Sequence, residues 1–242
     1  MLISRVGRSI SGFGLSPGIT KEQRLEVESL MKTAFGNLEG DLAGTYYPLT
    51  GMDEKVRQQL VDDHFLFVSG DKNLQASGME RDWPEGRDIF HNKDKTFLTW
   101  VNEEDQLRII SMEMGGDVKG VFSRLARGIK AVEDSVRKES GREFMLDPKY
   151  GFIHSCPTNL GTGMRASVHV DLPGYTKEGL PALKARFETN SLSALLHLQL
   201  SLISLQNLSA TKDFKGVKSW LCSRVVPEGS LVVKQVGHFL HS

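Results

Sequence analysis

A lone thiol, two closely spaced glycines and an arginine share one run, Cys156-Pro157-Thr158-Asn159-Leu160-Gly161-Thr162-Gly163-Met164-Arg165. Glycine reaches backbone angles closed to other residues, so the main chain can turn tightly there and approach a ligand. Exposed N–H groups in a turn, followed by a fixed cation, form a device for holding an anion. The same residues also read as an ordinary hairpin corner with an inert cysteine. A second constellation is Asn102-Glu103-Glu104-Asp105-Gln106-Leu107-Arg108. Three consecutive carboxylates are usually a solvated turn. With an arginine close behind, they can instead face a zwitterionic reaction, carboxylate toward guanidinium and arginine toward phosphate. Arg5 and Arg8, taken alone, are a frayed basic end. His64 precedes the apolar run Phe65-Leu66-Phe67-Val68 and reads by itself as a hydrogen-bonded core histidine in a strand.

The elements that must hold these groups follow from capping and periodicity. Thr20-Lys21-Glu22-Gln23 is a capping box opening a helix with Leu25, Leu30, Met31 and Ala34 inward. A short strand runs from Gly44 to Tyr47, ended by Pro48, and Asp53 caps a second helix with Val56 and Leu60 on its buried side. Asp82 to Arg87 is a loop. Thr96–Val101 and Gln106–Met114 are two strands joined by the acidic turn. Asp117 caps a long helix whose stripe is Val118, Val121, Phe122, Leu125, Ile129, Val132 and Val136. Tyr150 to His154 is a strand leading into the cysteine turn, and Ala166 to Leu172 a strand leaving it. A helix over Thr176–Phe187 is weakened by Pro181, and Leu196, Leu198, Leu200 and Leu202 alternate with polar residues as in a strand.

Composition bounds the partners. The 30 basic and 30 acidic residues balance, so nothing draws the chain in bulk to nucleic acid or an anionic membrane. Two cysteines, Cys156 and Cys222, make no disulfide framework, and Met1-Leu2-Ile3-Ser4-Arg5 opens no signal-length apolar run. A cytoplasmic location is expected. His238 and His241 lack a third ligand in view, so no protein-held metal site is expected.

The run Cys156 to His169, with Gly44-Thr45-Tyr46-Tyr47-Pro48-Leu49-Thr50-Gly51-Met52, Asp62-Asp63-His64-Phe65-Leu66-Phe67 and the acidic turn, resembles the phosphagen (ATP:guanidino) kinases in four ordered blocks. The arginine kinases are the most similar branch. The likeness runs from about Ile3 to about Phe187 and covers most of the family's catalytic domain. The family's small helical N-terminal domain has no counterpart here, and the character changes after Glu188. The resemblance implies an α+β fold with a central, mostly antiparallel sheet flanked by helices, of the glutamine synthetase and guanido kinase type. It implies an incomplete catalytic domain over 1–188 and a divergent, poorly ordered tail over 189–242.

The resemblance also implies roles. Glu104 would orient a guanidino group and Cys156 would lie near the reacting nitrogen, its thiolate favoured by the turn's N–H groups and Thr158. Nucleotide contacts would come from Ser4, Arg5, Val6, His64, Arg108, Arg165, Ala166, Ser167, Val168 and His169. ATP or ADP would bring Mg²⁺ bound through its phosphates, and arginine is the expected acceptor. The oligomeric state is not legible. The chain departs from the family in two places. Two residues are missing between Val6 and Gly7, a phosphate-binding arginine among them, and the later Arg-Gly-Thr-x-Gly-Glu-like loop has no match. The alternative expectation is therefore a catalytically impaired or inactive truncated remnant that retains at most nucleotide or partner binding.

Overall fold

The structure, a computed structural model, describes residues 1–170 and 231–236. The predicted helix over Thr176–Phe187 and the alternating leucines near 200 lie outside the described residues. The chain divides into two compact units. The larger comprises Ser4–Met112 and Val118–Met164, and the smaller comprises Met1–Ile3, Glu113–Asp117 and the described residues from Arg165 on.

In the larger unit the strands are β1 (Leu2–Arg8, which begins in the smaller unit), β2 (Gly44–Pro48), β3 (Asp88–Asn92), β4 (Phe97–Val101) and β5 (Leu107–Glu113). They lie in the order β2-β3-β4-β5-β1. The β2–β3, β3–β4 and β4–β5 pairs are antiparallel, and the last sets Trp100 opposite Arg108 and Val101 opposite Leu107. Helices α1 (Lys21–Gly36), α2 (Glu54–Asp62), α3 (Lys72–Ala76) and α4 (Val118–Ser140) flank the sheet. One hydrophobic core joins Val6, Val27, Met31, Phe90, Phe97, Ile109, Leu125 and Val132 from β1, α1, β3, β4, β5 and α4. The fold is α+β with a mostly antiparallel sheet, as expected.

Local chemistry explains the elements and the departures. The capping box at α1 forms both of its bonds, Gln23 N–H to Thr20 Oγ1 at 3.2 Å and Thr20 N–H to Gln23 Oε1 at 3.4 Å. Leu25, expected inward, is 40% exposed, and Arg24 takes the inward place. That arginine is tolerated because it donates to Asp82 Oδ2 at 3.0 Å and to the Arg81 carbonyl at 3.1 Å. Val118 and Phe122, expected in the buried stripe of α4, are exposed, while Val121, Leu125, Val132 and Val136 are buried.

The expected strand at His64 does not form. His64 has φ 58°, and the amides of Phe65 and Leu66 both return to the Leu60 carbonyl, at 2.8 and 3.1 Å. This closes α2, and the apolar character serves packing: Phe67 meets Trp100, ring centroids 5.5 Å apart. The strand β3 was not expected, since charged Asp88 continues a loop-like run. The strand expected over Tyr150–His154 shrinks to β7 (Gly151–Phe152), which pairs with β6 (Leu146–Asp147). In the smaller unit, β8 (Met164–Val170) pairs antiparallel with β9 (Leu231–Val236), Arg165 facing Val236 and Ser167 facing Lys234. The strand β9 was not expected, although Leu231-Val232-Val233 and Val236, between Gly229 and Gly237, carry strand-forming residues.

Candidate active site

The β4–β5 turn is not solvated. The side chains of Glu103 and Glu104 are 15% and 25% exposed, and Asp105 is buried. The hairpin places Arg108 one residue into β5, so its guanidinium reaches back across the turn. Arg108 Nη2 lies 2.6 Å from Glu104 Oε2 and 3.0 Å from Glu103 Oε2. Glu103 Oε2 also accepts from the Glu104 amide at 2.7 Å, which fixes the turn. The guanidinium stands 5.3 Å from the centre of the Trp100 ring, its cross-strand partner. Two carboxylates thus grip one planar cation in a mostly water-shielded corner.

Asp105 ties this turn to the cysteine segment. Its Oδ1 accepts from the Ser155 amide at 2.8 Å, and its Oδ2 lies 3.1 Å from His154 Nδ1. Ser155 adjoins Cys156, whose Sγ lies 3.0 Å from Thr158 Oγ1 at the start of a 3-10 turn over Pro157–Asn159. Gly161 and Gly163 take φ 100° and 63°, the left-handed angles expected of them.

The nucleotide-site candidates fall in three places. Ser4 and Val6 share one buried face of β1, and Arg5, one residue out of phase, lies half-buried on the other. His64 is exposed on the turn after α2. Arg165, Ala166, Ser167, Val168 and His169 lie along β8 in the smaller unit. The structure brings Glu104 and Arg108 into direct contact and links their turn, through Asp105, to the neighbour of Cys156.

Arg8 is not part of a frayed end. It is buried in β1, donates to the carbonyls of Gly7 at 2.7 Å and Thr162 at 2.9 Å, and its guanidinium carbon lies 3.6 Å from the centre of the Phe152 ring. Burial pushes its pKa down to about 10, with Glu133 opposing, so it stays a cation at neutral pH. Reasoning from sequence missed the contribution of Glu103, the burial of Asp105, and His154. The first two were signalled by their place in the acidic run. His154 had no signal, because its partner is 49 residues away.

Residues 26–194 match the family model for the ATP:guanido phosphotransferase C-terminal catalytic domain. An arginine kinase of Anthopleura japonica is 59% identical over 174 residues, 72% of this chain and 23% of the relative. A lombricine kinase of Eisenia fetida is 52% identical over 174 residues, 72% of this chain and 47% of the relative. A crystal structure of lombricine kinase superposes with a TM-score of 0.70 at 47% identity, covering 73% of this chain and 48% of that one. The chain thus spans half or less of the length of these relatives. Among the described residues, no helix is long and apolar enough to cross a membrane.

Proposed function

The chain belongs to the ATP:guanido phosphotransferase family, and on that premise we propose that it transfers the γ-phosphoryl group of Mg-ATP reversibly to a guanidino acceptor, arginine being the preferred one. The observation that carries this reading is the corner where Glu103 and Glu104 hold the Arg108 guanidinium at 3.0 and 2.6 Å. A carboxylate that grips one guanidinium offers the same planar fork to another. On substrate binding Arg108 turns to the nucleotide phosphates, and Glu104 takes the acceptor's guanidinium and aims one nitrogen at phosphorus.

Phosphoryl transfer asks the protein mainly for alignment and charge neutralisation. Arg5 and Arg108 supply cations, with Ser4, Val6 and His64 contacting the nucleotide. Cys156 lies beside the reacting nitrogen. The carboxylates of the acidic turn are committed to guanidinium, so a Mg²⁺ arriving with the nucleotide would be held by phosphate and water, and the chemistry it would supply is charge neutralisation. Residues 1–188 make up the catalytic domain, 189–242 a divergent tail, and the protein acts in the cytoplasm.

The test is phosphotransfer from Mg-ATP to arginine and, in parallel, to lombricine and taurocyamine. The expected result is transfer to arginine, abolished in Glu104→Gln. Transfer to none of the three would overturn the reading. A second reading, a remnant that binds nucleotide without turnover, is favoured by Arg8, whose guanidinium is committed to Thr162 and Phe152 and leaves β1 with Arg5 as its phosphate cation. Nucleotide binding without transfer, and indifference to Glu104→Gln, would establish it.

A further inference from the structure

His154 is buried at the meeting point of three segments that the proposed reaction uses. Its Nδ1 lies 3.1 Å from Asp105 Oδ2, on the turn that carries Glu104. Its own chain leads through Ser155 to Cys156. Its ring fills the gap between two glycines, one on β1 and one in the turn after Cys156. A side-chain carbon added at Gly7 would lie 2.8 Å from His154 Cε1 and 2.8 Å from Asp105 Oδ2. One added at Gly163 would overlap His154 Nε2. The two glycine segments are themselves joined, Gly7 N–H to the Gly163 carbonyl at 3.1 Å. Asp105 closes the arrangement by accepting the Ser155 amide on its other oxygen.

We propose that Asp105 and His154 form a positioning pair that sets the Cys156 thiol against the Glu104 carboxylate. Neither needs to touch substrate. Asp105 holds the acidic turn and the cysteine segment with one carboxylate, and His154 keeps that carboxylate in place while bracing β1 and the Gly161–Gly163 turn.

The chemistry of the ring supports a directed role over simple filling. A carboxylate at Nδ1 selects the tautomer with its proton there. Nε2 is then a bare lone pair, and it has no hydrogen-bond partner among the described residues. In the other tautomer, a buried N–H would point into the Gly163 backbone, which is the costlier arrangement. Asp105→Asn leaves one acceptor for two donors: with its oxygen on the Ser155 amide, its NH2 group faces His154 Nδ1 and selects the opposite tautomer. His154→Asn keeps a short amide donor near the Nδ1 position, whereas His154→Ala keeps none.

The role rests on the phosphotransferase reading, but the decisive measurement does not need turnover. It is the alkylation rate of Cys156 by iodoacetamide in the full chain, with Cys222→Ser so that one thiol reports. Asp105→Asn and His154→Ala are expected to change the rate at least fivefold, and His154→Asn to stay within about threefold of the parent. Leu125→Ala, which weakens the core from α4 and removes none of the hydrogen bonds of the pair, is expected to stay within twofold at a temperature where all variants are folded. Equal rates in the parent and His154→Ala, equal shifts in His154→Asn and His154→Ala, or an equal shift in Leu125→Ala would overturn the role. Where Asp105→Asn does not fold, the two His154 variants decide.

Given an active parent, Asp105→Asn should lower kcat at least tenfold and leave the nucleotide KM within threefold; a change confined to KM would count against positioning. A parent without phosphotransfer overturns the functional reading alone, and the alkylation series still decides this one.

Discussion

Asp105 and Asp88 both sit in the larger unit with almost no surface exposed to water. Asp105, on the β4–β5 turn, has a partner for each oxygen, the Ser155 amide at 2.8 Å and the His154 ring at 3.1 Å. Asp88 opens β3 between Pro48 and Val101, and neither of its oxygens has a hydrogen-bond partner among the described residues. Burial pushes the Asp88 carboxyl up to about 8; the nearby Tyr46 hydroxyl pulls the other way and neighbouring Glu28 adds to the rise. The same side chain at the same depth is thus an anchor in one place and a held proton in the other. What separates them is the supply of donors, because a buried charge without them is too costly to keep.

The comparison can be broken most sharply at Asp105. Asp105→Ala strands two donors, the His154 ring and the Ser155 amide, at about 1–3 kcal/mol each, so urea denaturation should show a loss of about 2–6 kcal/mol; a loss below about 1 kcal/mol would mean the two aspartates are not different in kind. Asp88 gives the opposite sign. Its folded pKa of about 8 lies above the ordinary 3.8, so the unfolded chain releases the proton first as pH rises. Stability from this group is complete below about pH 4, falls between pH 4 and 8, and then levels. Asp88→Asn should flatten that fall and raise stability at pH 8 by about 1–3 kcal/mol, read from melting curves at pH 5 and pH 8. An unchanged pH slope would remove the held proton from the account.

Two smaller tests mark the scale set by solvent. Thr20→Ala removes a cap whose donor is exposed and should cost about 1 kcal/mol in thermal unfolding. Asp134→Asn breaks an exposed pair with Lys130 at 2.8 Å, and its expected cost is under about 0.5 kcal/mol. Should the last prove as costly as the first, burial would not be the variable that matters.

Legibility followed distance along the chain. The caps at Thr20 and Asp53 and the β4–β5 hairpin were readable, because each is decided within a few residues. Burial on single faces was readable only in outline: Arg24 replaced Leu25 inside because Asp82, far along the chain, supplies its counter-charge. The run after His64 has strand composition, yet one left-handed residue turns it into a helix terminus. Strand β3 was hidden by a charged first residue that reads as loop. In the candidate site, the nearness of Glu104 and Arg108 was readable from their spacing, while their roles and that of Cys156 came from the family resemblance. The His154–Asp105 pairing was not readable, since local pattern says nothing about a partner met only after folding.

The packing of Arg8 has a temporal consequence. Its guanidinium spans from the Thr162 carbonyl to the face of Phe152, and the adjacent Gly7 amide is bonded to Gly163. The glycine-rich loop therefore has no independent opening route at its β1 side. In hydrogen–deuterium exchange the Gly7 amide should share the slow clock of β1, and the loop should behave as an outgrowth of that strand instead of a flap.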